Sequence, residues 1–558
     1  MDYQNLVNCY KALESTTKRL EKTEILSNFL KKIKIQELKN ITHLLQGTIF
    51  PDYDERKLGI SSRLILKALS NSTGTPQEKI EKEWAKKGDL GIIAESLTKT
   101  KKQTTLTTKK ITTELITNNL TKLSTLEGEG TINRKIQLIT ELLTSSTPEQ
   151  AKYITRTILS DLRIGVSYGV IRDSIAKAFD KEVKEIEQAY NVIADYGEVA
   201  VKAKNNKLKD IKLRPGTPTK VMLALLANNI EECFEALGKT LQLEYKLDGF
   251  RIIAHKYNKK ISLFTRRLEN VTSRFPELID HIDKNIKGKN FIIDCEAVGF
   301  DRKTKKYLPF QSISQRIKRK HNIEQMSKQF PVELDVFDIL YYNNKSLFEK
   351  PLKERRALLE KIIKQTPRKI TLTKKLVTSN KSKAMKFFKQ ALKDGEEGVI
   401  IKKLDSKYKP GRYVGGWLKL KSILEPLDLV ITKAEYGTGK RAGWITSYTL
   451  SCQHNEEFLE IGKVSTGVKE KSEGLTYKEM TKLLKPLILK QKAKELEIKP
   501  KIILEVAYEE IQKSPKYSSG FALRFPRVLR RRDIEKSLEE INDLNLIKKI
   551  YNTQKRGK

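Results

Sequence analysis

The chain is predicted to fold as three parts in series. These are an all-α N-terminal region over residues 1–210, an α+β region built on antiparallel sheet over 211–422, and a small β-barrel with a basic helical tail over 423–558. Three observations predict this. In the first two hundred or so positions apolar residues recur at helical spacing, as in Leu6, Tyr10, Leu13 and Leu20, or Ile154, Ile158 and Leu162. The run Arg214-Pro215-Gly216-Thr217-Pro218 then punctuates the chain. Beyond it the period shifts toward two, in short runs rich in Ile, Val, Phe and Tyr at 241–253, 261–265, 291–298, 332–341 and 399–402, with a helical piece at 384–392. From about Ser422 a further set of short strands is expected at 427–434, 447–452, 458–464 and 502–508, a count that suits a small barrel.

Composition bounds the function. The chain has 558 residues, and 109 Lys and Arg against 69 Asp and Glu leave a formal charge of +40. No apolar run approaches the ~18 residues of a membrane span, and the first residues lack a signal-peptide core, so secretion and membrane insertion are not expected. Cys9, Cys233, Cys295 and Cys452 lie far apart, with no CxxC pair, which argues against disulfides and structural zinc and fits a reducing cytoplasm. The positive excess reads either as a lysine-biased composition or as a surface for a polyanion, where each cation on a phosphate releases a counterion.

Two segments in the helical region break the pattern. Thr98-Lys99-Thr100-Lys101-Lys102-Gln103-Thr104-Thr105 is expected as an exposed loop. Arg163-Ile164-Gly165-Val166-Ser167-Tyr168-Gly169 is compatible equally with a plain helix–helix turn and with backbone N–H groups offered to a phosphate. A third, Gly437-Thr438-Gly439-Lys440, lacks phosphate-loop spacing and sits among expected strands, so it is not read as one.

The most informative stretch is Leu243-Glu244-Tyr245-Lys246-Leu247-Asp248-Gly249-Phe250-Arg251. Read as a strand, it turns Glu244, Lys246 and Asp248 to one face. By spacing alone this is as well an ordinary solvated face as a functional one. A lysine nucleophile must lose its proton, and with an ordinary pKa of about 10.4 only about one molecule in a thousand is neutral near neutrality. Burial or a nearby cation such as Arg251 must help.

Lys246-Leu247-Asp248-Gly249 resembles the KxDG motif of the covalent nucleotidyltransferases, and six further stretches resemble that superfamily's motifs in the same order. They are Phe264-Thr265-Arg266-Arg267-Leu268-Glu269-Asn270, Asp294-Cys295-Glu296-Ala297-Val298, Val336-Phe337-Asp338-Ile339-Leu340-Tyr341, Glu396-Glu397-Gly398-Val399-Ile400-Ile401-Lys402, Trp417-Leu418-Lys419-Leu420-Lys421 and Leu523-Arg524-Phe525-Pro526-Arg527. The N-terminal Arg163–Gly169 stretch with Ala176-Lys177-Ala178-Phe179, and the barrel stretches Leu427-Asp428-Leu429-Val430 and Glu435-Tyr436-Gly437, extend the resemblance to ATP-dependent DNA ligases of the archaeal and eukaryotic replicative type. One departure is Arg532-Asp533-Ile534-Glu535-Lys536, with an extra residue before the lysine that the family places there; Lys536 is a candidate only.

The resemblance implies a helical DNA-binding domain, an adenylation domain and an OB-fold. It implies Lys246 as the nucleophile that becomes AMP-lysine, Glu244, Arg251, Arg266, Glu296, Phe337, Arg412 and Lys419 as ATP-binding residues, and Asp248, Gly249, Lys421 and Arg527 in support. Glu296 and Glu397 would hold Mg²⁺, with Mn²⁺ the alternative, and Arg163, Gly165 and Gly169 would meet DNA phosphates. The implied activity is sealing of nicked duplex DNA by a cytoplasmic monomer in replication, recombination and repair, with a sliding clamp left open as a second partner. An RNA ligase, a capping enzyme and an inert nucleic-acid scaffold are the rival readings.

Overall fold

The computed structural model describes all residues except 102–109, 309, 311–312, 314–315, 318–321, 412–414, 422–423, 438–440, 442, 471–473, 493 and 556–558. Arg412, half of the Thr/Lys-rich stretch and three of the four residues of Gly437-Thr438-Gly439-Lys440 therefore lie outside the described residues; of the expected loop, Thr98 and Lys99 instead end the helix Leu90–Lys99, with Thr98 buried.

From Tyr3 to Lys204 the described elements are all α-helices, packed round one apolar core that includes Leu6, Tyr10, Leu13, Ile154, Ile158 and Leu162. Leu20 departs from the expected stripe: a break after Glu14 starts a new helix, Arg19–Lys32, and Leu20 is exposed on it. Asp89 and Asp195 cap the helices that follow them by accepting backbone N–H bonds, Asp195 while also bonded to His43 at 2.7 Å. The four cysteines are buried and free.

The central region holds β1 (Leu225–Leu226), β2 (Leu241–Lys246), β3 (Phe250–Tyr257), β4 (Lys260–Thr265), β5 (Phe291–Phe300), β6 (Tyr307–Leu308), β7 (Val332–Tyr342), β8 (Lys345–Ser346), β9 (Ile370–Leu372), β10 (Lys375–Thr378), β11 (Gly398–Lys403) and β12 (Trp417–Lys421). They form two sheets. One runs β1-β12-β11-β2-β10; the other runs β4-β3-β5-β7-β8, with β6 on β5 and β9 on β7. All pairings are antiparallel except the edge contacts β1–β12 and β7–β9. Each sheet turns one face to helices and the other toward its partner sheet. Leu243, Tyr245, Val399, Ile401, Leu418 and Leu420 pack with Ile230–Leu237 and Lys381–Lys393, while Met222, Ile253, Ile292, Leu340, Tyr408 and Trp417 share a separate core between the sheets.

The run 241–253, expected as one strand, is two strands in different sheets, joined at Leu247-Asp248-Gly249. Asp248 is thus not on a shared strand face with Lys246. The crossing needs glycine because a Cβ at Gly249 would lie 2.4 Å from the Ala297 carbonyl oxygen.

The C-terminal region adds β13 (Leu427–Tyr436), β14 (Ile445–His454), β15 (Glu457–Val464), β16 (Ile488–Lys492), β17 (Glu495–Ile498), β18 (Ile503–Ala507), β19 (Glu510–Lys513), β20 (Phe521–Arg524) and β21 (Arg527–Arg531), then the helix Leu544–Lys555. Strands run β15-β14-β13-β18-β21. The ring returns on itself where Val528 N–H donates to the Thr466 carbonyl at 3.0 Å and Thr466 Oγ1 donates to Pro526 O at 2.6 Å, just past β15. Closure removes the two sheet edges and makes a barrel. Gly467 permits it: its φ is +96°, and a Cβ there would stand 2.0 Å from Val528 O.

Gly467→Ala is expected to lower the barrel's unfolding transition by about 1–3 kcal/mol, from the strained φ and the lost approach of β21. Calorimetry of the full chain, with the barrel transition followed separately, checks this.

Candidate active site

Lys246 ends β2, where the chain leaves one sheet for the other. β11 pairs beside it, with Gly398 opposite Lys246, and Glu397 N–H donates to the Lys246 carbonyl at 3.1 Å. This register sets the Lys246 ammonium 2.5 Å from Glu397 Oε2. Lys421, ending β12, stands 3.3 Å from the same oxygen and 3.1 Å from Glu509 of the barrel. Burial would raise the Glu397 carboxyl, but Lys246 and Lys421 hold it down at about 2. Lys419 lies two residues back on the same face of β12. Burial and the fields of Lys421, Lys246 and Arg266 push its pKa down, with Glu509 opposing. Arg266 is exposed just past β4. Four cations therefore surround one opening, a concentration of charge that favours an anion with several phosphates.

The opposite wall comes from β3, β5 and β7. Arg251 is locked: Nε donates to Asp294 Oδ1 at 2.8 Å, a second nitrogen donates to Oδ2, and NH1 donates to the Met222 carbonyl at 2.8 Å. Tyr408 also donates to Asp294, at 2.7 Å. Asp294 is consequently spent on Arg251 and Tyr408. Glu296 sits opposite Arg251 on β3. Burial lifts its carboxyl to about 8 despite Lys246 and Arg251, and Asp294 and Glu397 add to the rise.

Glu244 is 1% exposed and fully engaged. Lys402 lies 2.6 Å from Oε2, Gln242 Nε2 donates to Oε1 at 2.6 Å, and Arg356 stands 3.6 Å away. The Lys402 ammonium also lies 4.8 Å from the Phe337 ring centre and 4.2 Å from that of Trp417, and Arg251 lies 5.3 Å from Phe337. Lys402 was not singled out from sequence. Its signal was there: β11 alternation puts Ile400 and Lys402 opposite the core-facing Val399 and Ile401.

The barrel brings Arg524 rather than Arg527 to this place. Arg524 NH1 is 3.2 Å from Glu510 and 3.7 Å from Asp248, and its field reaches Glu397. Arg527 is exposed at the start of β21. Lys536 is tied to Asp428 within the barrel at 2.7 Å. Asp248 further accepts from Phe310 N–H at 3.2 Å. Arg163, Gly165 and Gly169 stand together on the helical block, not at the cleft. Arg163 bonds Asp161 at 2.7 Å and the Gly88 carbonyl at 3.0 Å, Gly165 has φ +65°, and Gly169 lies in the first turn of Tyr168–Ala178.

Two outcomes are expected. Lys402→Met strands a buried carboxylate and costs about 3–5 kcal/mol, most of it recovered in Lys402→Met/Glu244→Gln, as read by denaturant unfolding of the full chain. The Glu397 carboxyl, depressed in the folded state, adds stability above its unfolded pKa that is lost as pH falls toward about 2. Carbon-detected NMR titration of that carboxyl should show the low midpoint, and Lys246→Met should raise it.

The chain is similar to known proteins along its whole length. It matches the family models "DNA ligase N terminus" over residues 2–176, "ATP dependent DNA ligase domain" over 221–421 and "ATP dependent DNA ligase C terminal region" over 441–534. It is 44% identical to a DNA ligase of Nanoarchaeum equitans, over 100% of this chain and 99% of that one. It is 39% identical to a DNA ligase of Thermococcus fumicolans, over the whole of both chains. The solved structure "Pmar-Lig_PreS3" shares its fold at a TM-score of 0.57 and 17% identity, covering 94% of this chain and 99% of that one. The chain belongs to the ATP-dependent DNA ligase family.

Proposed function

We propose that this chain is an ATP-dependent DNA ligase that seals nicks in duplex DNA through adenylate carried on Lys246. The observation that carries the reading is the Lys246 amine, placed 2.5 Å from Glu397 at the mouth of a cleft ringed by Lys419, Lys421 and Arg266. The Lys246 nitrogen forms a bond to the α-phosphorus of ATP as the bond to the bridging oxygen breaks, and pyrophosphate leaves. The amine's proton passes to solvent. AMP then moves to the 5′-phosphate of the nick, and the neighbouring 3′-hydroxyl displaces it.

Side-chain chemistry supports the ATP roles proposed for the cleft. Glu244, held by Lys402 and Gln242, offers carboxyl oxygens as acceptors, which suits the amine edge of adenine. Phe337 offers a ring for stacking, and Lys419, Lys421 and Arg266 offset triphosphate charge. Arg251 aligns β3 against β5 through Asp294 and contributes its field to the cleft.

The residues fit Mg²⁺. Glu296 and Glu397 are two carboxylates beside the phosphate-binding cations, and burial holds the Glu296 carboxyl high despite Lys246 and Arg251. Two carboxylates plus substrate oxygens are the donor set Mg²⁺ takes. Bound there, the ion would supply Lewis-acid charge to phosphate oxygens.

DNA-phosphate contacts are proposed for Arg163 and the backbone of Gly165 and Gly169, where the exposed turn precedes a helix. No described helix is long and apolar enough to cross a membrane. A cytoplasmic monomer acting in replication, recombination and repair, with a sliding clamp as the open second partner, completes the proposal.

Incubation with α-labelled ATP and Mg²⁺, a denaturing gel, and a chase with nicked duplex tests it. Label should attach to the wild type, be absent from Lys246→Ala, and be discharged by the nick. Label that never attaches, or that only single-stranded RNA discharges, overturns the reading.

A further inference from the structure

The turn at Arg163–Gly169 is held more firmly than its exposure suggests. Arg163 and Gly165 both lie in the left-handed region, at φ +57° and +65°. A non-glycine residue keeps that conformation only where its surroundings fix it. Ile164, between them, is 3% exposed and belongs to the helical core. From Ile164 to Gly169 no backbone N–H donates to an acceptor among the described residues. A run of unspent donors beside an exposed arginine suits phosphate oxygens, but only while the turn keeps this shape.

A buried lysine supplies the hold. Lys22, in the helix Arg19–Lys32, is 5% exposed. Its ammonium donates to the Leu13 carbonyl at 2.6 Å and to the Ile164 carbonyl. Leu13 lies in the last turn of Tyr3–Glu14, where carbonyls have no partner within the helix and the helix end carries partial negative charge. One ammonium therefore ties two helices to the middle of the turn. The fit is close: a Cβ at Gly165 would lie 2.9 Å from Lys22 Nζ. Arg19, one turn earlier on the same helix, reaches Asp173 at 2.5 Å, past the far end of the turn. Arg163 is braced on the near side by Asp161 and the Gly88 carbonyl. Lys22 is itself too deeply buried to lie against a duplex.

We infer that Lys22 is a positioning residue for DNA. It fixes the turn so that Arg163 and the backbone N–H groups meet the duplex backbone together, and it touches no phosphate. This rests on the reading of the turn as a DNA-phosphate contact.

Binding of nicked duplex to the full chain is measured over a salt series for Lys22→Met, Arg163→Ala and the double variant. Each single variant should weaken binding about tenfold, the size of one lost charge-assisted contact. Each should also lower the salt slope by about 0.9, the share of one phosphate. Because both act through one turn, the double variant should remain at about a tenfold loss, whereas independent sites would give about a hundredfold. Lys22→Met should take label from α-labelled ATP without DNA at the wild-type rate, which a general loss of fold would not allow. Unweakened binding by Lys22→Met, or losses that multiply in the double variant, overturns the inference and leaves the turn as a DNA contact. Unweakened binding by Arg163→Ala overturns both. Should Lys22→Met fail to fold by circular dichroism, Lys22→Gln, uncharged but still a donor, replaces it under the same criteria.

Discussion

The cleft depends on charges that cannot be solvated. Glu244 and Lys402 are each about 1% exposed and 2.6 Å apart, and Arg251 is clamped to a fully buried Asp294. One pair belongs to each sheet. A buried ion is tolerated only with its partner in place, because the desolvation cost of either alone is several kcal/mol. The two pairs therefore hold the facing sides of the sheets in one arrangement, and the aromatic rings of Phe337, Trp417 and Tyr408 fill the space between the cations. Such pairing adds little net stability. It does set positions, and the opening beside Lys246 inherits them.

Around that opening the electrostatics are deliberately unbalanced. Lys246 and Lys421 share Glu397, with Lys421 also reaching Glu509, while Lys419 and Arg266 add their positive fields. Glu296, across the cleft, is held near the neutral form by burial. A polyphosphate in this opening would satisfy the lysines. The barrel takes part as well: Glu509 and Arg524 reach Lys421 and Asp248, so the third region closes one side of the site.

Much of this was legible in advance. Helical periodicity marks the first region, and alternation marks the sheets. The exceptions have physical causes. The run at 241–253 looked continuous because alternation continues through Leu247, and only the close approach of Gly249 to Ala297 reveals the change of sheet. Leu20 matched a helical stripe by spacing but lies beyond a break in the chain. Asp294 and Glu296 were indistinguishable by pattern. Which of them is spent on an arginine depends on a tyrosine more than a hundred residues away.

What the sequence determined by itself is whatever short-range pattern controls: the three-part organisation, the order of the motif strands, the reduced cysteines and the family. Only tertiary structure decided which charges meet. Lys402 with Glu244, Lys421 with Glu397 and Arg524 with Asp248 are contacts between segments brought together by sheet register and by barrel placement. Periodicity assigns a residue to a face, but an ion pair requires two faces to be set opposite each other at a few ångströms, and that distance is a property of the packed core.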